Sequence, residues 1–171
     1  MGTVEKLVDR NRTFAATRFN DRLRMRPDLA TIVIGCLDSR VDPAVVLGAE
    51  HGEIQVIRNV GGRVTPHILE ELVTLREVAR AATSDIGAGW EVIVLHHTQC
   101  GITLIKDRPD LLGPYFQLDG KDLPGLSVGD PWAAVAHDVG ALRSETRLPG
   151  IRVSGLVYDV TTGLVETVVQ P

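Results

Sequence analysis

Apolar and polar positions along the chain change period several times, and each change marks an element. Residues 3 to 24 are charge-rich, with Val4, Leu7, Val8, Phe14 and Leu23 as sparse apolar anchors. That pattern predicts a helical arm at about 3–24, able to pack on a neighbouring subunit as readily as on its own domain. After Pro27 the run Thr31-Ile32-Val33-Ile34-Gly35-Cys36 predicts a first strand. Pro43 suits the first position of a short helix ending near Gly48. Glu53 to Arg58 predicts a second strand, followed by the turn Asn59-Val60-Gly61-Gly62. Thr65-Pro66 then opens a helix, with Thr65 as cap and Pro66 at its first position. Ile68, Leu72, Leu75, Ala79 and Ala82 recur along it at helical spacing, and Leu69 and Val73 widen the stripe. Gly87-Ala88-Gly89 ends that segment and leads into a third strand at 91–96.

The stretch 107–130 holds Pro109, Gly113, Pro114, Gly120, Pro124, Gly125 and Gly129, which predicts a long loop with short helical pieces. Asp130-Pro131 starts another helix, with Val135, Ala136, Val139 and Leu142 on one face. Arg152 to Val160 and Leu164 to Val169 read as two strands joined by Thr161-Thr162-Gly163. Strands alternating with helices predict an α/β fold: a mostly parallel sheet with an antiparallel edge strand and helices on both faces. A length of 171 residues predicts one domain, 1–171. At that size folding buries about two-thirds of the unfolded surface, enough for a core without staples.

Composition narrows the partners. A net charge of −4 gives no support for a nucleic-acid partner, and the densest basic patch, Arg18, Arg22, Arg24 and Arg26, reads as a solvated helix face. No apolar run approaches the ~18 residues that suggest a membrane span, and no signal peptide is expected. Met1-Gly2 opens like a myristoylation signal, but Lys6 stands where Ser or Thr is required. Asn11-Arg12-Thr13 forms a glycosylation sequon that we read as chance. Two cysteines make no disulfide framework, so a cytoplasmic location is expected.

Those two cysteines carry the candidate chemistry. Each ends a strand: Cys36 opens Cys36-Leu37-Asp38-Ser39-Arg40, and Cys100 closes His96-His97-Thr98-Gln99-Cys100. If the strand order is 2-1-3-4, strands one and three are neighbours and both motifs flank the crevice where the winding reverses. Two thiolates and an imidazole suit zinc, and three protein ligands leave one position for water, whose pKa the metal lowers towards ~7. His97 and Cys100, three residues apart, can grip one metal from a single turn, with Cys36 as third ligand. Asp38 is then either the fourth ligand or a hydrogen-bond acceptor beside it, and Arg40 decides between the two by bidentate pairing. Separately, each residue has a plainer reading: a buried small hydrophobe, a turn with a surface ion pair, a hydrogen-bonded histidine. Their joint placement at strand ends favours zinc.

Cys-x-Asp-Ser-Arg followed about sixty residues later by His-x-x-Cys-Gly resembles the signature of the β-class carbonic anhydrases, here Cys36, Asp38, Ser39 and Arg40, then His97, Cys100 and Gly101. Val56-Ile57-Arg58-Asn59-Val60-Gly61 is similar to the family's Arg-Asn-Ala-Gly stretch. The segment from Gly155 to Gly163 is similar to the last strand pair of its short prokaryotic members. The resemblance implies that Cys36, His97 and Cys100 bind one Zn2+ per subunit. It also implies that Asp38 and Arg40 form the catalytic dyad, with Asp38 on the metal in a closed state and on Arg40 in an open one. It further implies the 2-1-3-4 sheet, reversible hydration of carbon dioxide to bicarbonate and a proton, and a homodimer or larger homo-oligomer. His96 stands where a glycine commonly precedes the metal histidine, and the three-residue spacing selects His97.

Two rival readings use the same residues. One is hydrolysis of carbon disulfide or carbonyl sulfide on this scaffold; the other is a non-catalytic zinc module closed by Cys36, Asp38, His97 and Cys100. His51, His67 and His137 are candidate proton shuttles, each more simply read as a surface or helix histidine. Neither Gly61-Gly62 nor Gly87-Ala88-Gly89 completes a nucleotide-binding fingerprint.

Overall fold

The computed structural model describes residues 2–119 and 122–171; Met1, and Gly120 of the predicted loop, lie outside the described residues. Five strands form one sheet in the order β2-β1-β3-β4-β5. They are β1 (Thr31–Cys36), β2 (Ile54–Asn59), β3 (Glu91–His97), β4 (Arg152–Tyr158) and β5 (Val165–Val169). The first four are parallel and β5 adds antiparallel to β4, with a bulge between Gly155 and Leu156. The predicted 2-1-3-4 order with an antiparallel edge is the order observed. Because the winding reverses at β1, the crossovers on its two sides lie on opposite faces.

The helices are α1 (Thr3–Thr17), α2 (Pro43–Val46), α3 (Pro66–Ala81), α4 (Pro109–Phe116) and α5 (Pro131–Arg143). Both α3 and α5 cover the face that carries Ile32, Ile34, Val92, Val94, Val153 and Val157, contributing Ile68, Leu72, Val135, Val139 and Leu142 to one core. On the opposite face α2 begins against Gly35, where an added Cβ would lie 2.7 Å from the Pro43 ring. Side-chain caps start three helices: Asp42 accepts from Ala44 N, Thr65 from Ile68 N and Asp130 from Trp132 N.

Three expectations change in detail. The N-terminal helix stops at Thr17 rather than near residue 24, because Arg18 N and Phe19 N both bond the Phe14 carbonyl and Asn20 then closes an Asx turn on Arg22 N. Of the four arginines read as one helix face, Arg22, Arg24 and Arg26 therefore lie beyond it. On α3 the buried face is Ile68, Leu72, Arg76 and Ala79, and Ala82 caps the end; Leu75 is only half-buried. On α5 the buried set includes Ala134 and Asp138, whereas Ala136 is exposed. The 107–130 stretch contains α4 and a 3₁₀ turn, Leu123–Leu126, which bury Leu112, Phe116, Leu123 and Leu126 in a second apolar cluster with Cys36 and Cys100.

Candidate metal centre

Parallel pairing sets Gly35 beside Leu95, so Cys36 at the end of β1 and His97 at the end of β3 emerge at one sheet edge. The turn after β2 closes over them. Gly62 has φ +65°, and an added Cβ would lie 2.9 Å from Cys36 N and 3.2 Å from the Leu95 carbonyl oxygen. Only glycine fits so close an approach in that conformation.

Strand alternation separates the two neighbouring histidines. His96 turns towards α5, its Nε2 3.2 Å from Asp138 Oδ2. His97 turns towards the cysteines, and one ligand atom from each of Cys36, His97 and Cys100 lies within 4.8 Å of the others. All three residues are buried. His97 Nδ1 lies 2.8 Å from the Thr98 carbonyl oxygen, which makes it the protonated nitrogen. Its Nε2 is buried with no hydrogen-bond partner. A buried imidazole lone pair facing two sulfurs is the donor set a soft, tetrahedral cation requires.

The two sulfurs lie 3.7 Å apart and share one hydrogen bond. The bond from Cys100 draws the Cys36 thiol well below its ordinary pKa, assisted by His97 and by the main-chain N–H groups of Asp38 and Gly61. The same bond, together with burial, pushes Cys100 up. A thiolate already stabilised by main-chain donors is prepared for a metal.

Asp38 stands beside this trio with its carboxylate turned to Arg40. Its Oδ1 accepts from Arg40 N at 2.9 Å and Nε at 3.0 Å, and its Oδ2 from Nη2 at 2.7 Å. Those bonds hold the Asp38 carboxyl well below the usual carboxylate range. Arg40 Nη2 also donates to the Gln99 carbonyl oxygen at 3.1 Å, which Gln99 presents from a left-handed conformation, φ 55°. The geometry therefore assembles Cys36, His97 and Cys100 and sets Asp38 on Arg40. A cavity of about 350 Å³ opens beside His97 and Cys100, bounded by Gly61, Ile102, Val128 and Trp132. His51, His67 and His137 are exposed and do not line it.

One buried ion pair escaped the sequence reading. Arg63 and Asp138, 75 positions apart, are each about 1% exposed and join through Nε at 2.8 Å and Nη2 at 3.0 Å. Asp138 also accepts from Val64 N, and Arg63 also donates to the Leu126 carbonyl oxygen. Burial alone would raise the Asp138 carboxyl, but bonds from His96 and Arg63 outweigh it and carry it below its ordinary value. The one signal available was the position of Asp138, on the same helical stripe as Val135 and Leu142.

Comparison with known proteins agrees with this geometry. The family model described as carbonic anhydrase matches residues 31–110, which hold both motifs. A β-carbonic anhydrase of Mycobacterium tuberculosis is 33% identical over 92 residues, covering 54% of this chain and 52% of that protein. The solved carbonic anhydrase of Streptococcus mutans superposes with a TM-score of 0.75 at 28% identity, covering 98% of each chain. The chain is thus similar to β-carbonic anhydrases over the segment that holds both motifs, and to a solved carbonic anhydrase over its whole fold. The chain is also similar to a carbon disulfide hydrolase of Acidithiobacillus thiooxidans, 26% identical over 154 residues and covering 77% of this chain and 73% of that protein. The chain spans about half the length of the mycobacterial relative it matches.

Proposed function

We propose that this chain is a member of the β-class carbonic anhydrases, a zinc-dependent enzyme that reversibly hydrates carbon dioxide to bicarbonate and a proton. The observation that carries the reading is the convergence of Cys36, His97 and Cys100 beside an Asp38 that Arg40 holds to itself. One zinc per chain would be held by the two thiolates and by His97 Nε2. When bound, it supplies the Lewis acidity that lets water act as a nucleophile near neutral pH. The chain's own groups do the rest. Thr98 fixes the His97 ring through Nδ1–H, leaving Nε2 to the metal. Arg40 keeps Asp38 ionised, so its carboxylate accepts a hydrogen bond from the reacting water and orients it. Ile102 and Val128 give the cavity an apolar wall suited to an uncharged triatomic substrate.

A second reading, hydrolysis of carbon disulfide or carbonyl sulfide, is favoured by the longer match to the Acidithiobacillus enzyme. Both substrates are linear, and the same donors and dyad serve either. Zinc-replete protein offered both tests the choice: stopped-flow carbon dioxide hydration well above buffer from pH 7 to 9, with no sulfide released from carbon disulfide, is expected. Sulfide release without hydration would reverse the assignment. The Asp38–Arg40 pairing supports a working centre over a permanently closed zinc module.

The active form is a homodimer or a larger homo-oligomer. Helix α1 buries none of its residues, and Val4, Leu7 and Val8 are 73%, 56% and 47% exposed, an apolar stripe that a second copy would cover. Light scattering should return at least twice the chain mass, and a monomer would contradict it. Among the described residues no helix is long and apolar enough to cross a membrane. A centre that needs two reduced cysteines fits the cytoplasm.

A further inference from the structure

Arg58 sits near the end of β2, opposite Gly35, and its side chain reaches over the end of β1. Its Nε donates to the Cys36 carbonyl oxygen at 2.8 Å, its Nη2 to the Asp38 carbonyl oxygen at 2.8 Å, and its Nη1 to Asp42 Oδ2 at 3.0 Å. One guanidinium thus spans the stretch 36–42, which carries Cys36, Asp38 and Arg40. That stretch has no helix or strand of its own between Cys36 and Pro43. Asp38 is gripped by two different arginines: Arg40 holds its carboxylate and Arg58 holds its carbonyl, while its amide N–H lies 3.4 Å from Cys36 Sγ. The Arg58 side chain is about 24% exposed, so water competes only partly for these bonds.

Because Asp38 stands beside the three metal donors, small shifts of its main chain decide where its carboxylate rests. We propose that Arg58 is a positioning residue: it pins the 36–42 stretch so that the Asp38 carboxylate rests on Arg40 and the fourth position of the Cys36–His97–Cys100 centre stays open. This inference rests on the metal-centre reading above. Two carbonyls and a carboxylate require three N–H groups in a fixed fork, which arginine supplies and lysine does not. Without that fork the stretch can follow the pull of the metal on the carboxylate, and Asp38 takes the position that substrate or an anion would use.

The test uses the full chain loaded with cobalt(II), with azide as probe and the visible cobalt bands as readout. Native protein is expected to bind cobalt and to shift its bands with azide. Arg58→Gln should still bind one cobalt but require azide concentrations on the order of 10- to 100-fold higher, the loss expected for one or two charge-assisted hydrogen bonds. Adding Asp38→Ala to Arg58→Gln should restore the native azide response, because the competing carboxylate is gone. An unchanged azide titration in Arg58→Gln overturns the proposal. So does a weakened response that Asp38→Ala fails to restore, which would mark a merely structural role. A native centre that binds cobalt and ignores azide also overturns it. If Arg58→Gln fails to fold, Arg58→Lys, judged by the same two criteria, takes its place. Native protein that binds no cobalt would instead overturn the metal-centre reading itself, an outcome distinct from the others.

Discussion

Two arginine–aspartate pairs share one chemistry and differ in almost everything else. Arg40 and Asp38 are two residues apart, and their side chains are 48% and 18% exposed. Arg63 and Asp138 are 75 residues apart and each 1% exposed. Both are bidentate. The open pair can exchange its partner for water or a metal at small cost, which suits a carboxylate beside a reaction centre. The buried pair cannot open without stranding a charge, so it acts as a staple joining the turn after β2, the end of β3 and α5. Burial, rather than residue type, separates a movable dyad from a fixed strut.

The largest effect should come from Asp38→Asn, which separates the roles on the open side. Hydration should fall on the order of 10²- to 10⁴-fold, zinc should stay near one per chain, and the thermal midpoint should scarcely move. Next is Asp138→Asn, which leaves Arg63 buried and unpaired. Stability should drop by about 3–5 kcal/mol, read as a large fall in Tm by calorimetry, and a Tm within a degree or two of native would remove the staple reading. A smaller effect is set by pH. The folded Asp138 carboxyl lies below its unfolded value of about 4, so its contribution is present above that pH and lost as pH falls through the folded value. Acid unfolding followed by circular dichroism should therefore be shallower in Asp138→Asn than in native protein. Smallest of all, Tyr115→Phe removes a neutral bond from Tyr115 OH to the Val60 carbonyl oxygen, 2.7 Å, near the staple. It should cost about 1 kcal/mol, and in native protein the phenolate should appear only near pH 12, since burial pushes Tyr115 up to about 12.

How much of this was legible in the sequence follows from the range of each interaction. The strands read at 31–36 and 91–96 and the capped helix after Thr65 are written in local periodicity and cap residues, and they emerge where the pattern places them, the second strand one residue longer. The Cys36–His97–Cys100 cluster was legible because two short motifs sit at strand ends and the three-residue spacing to Cys100 selects His97 over His96. The Arg63–Asp138 pair was not, since nothing local marks two charges 75 positions apart as partners, and a helical stripe counted only in apolar residues passes over Asp138. Nor was the end of α1, which depends on a backbone hydrogen-bond switch at Arg18 and Phe19 rather than on hydrophobic period. Arg58 was visible within a motif, but its grip on two carbonyls needs the β2–β1 register to be seen.

In the proposed mechanism three donors hold a metal while Asp38 works beside it rather than on it. Zinc content measured together with carbon dioxide hydration, for native protein and Asp38→Asn, tests it most directly. About one zinc per chain in both proteins, with rapid hydration in the native protein alone, is expected. Zinc lost from Asp38→Asn would make Asp38 principally a ligand. Native protein that is zinc-replete yet no faster than buffer from pH 7 to 9 would rule out carbon dioxide hydration as the activity.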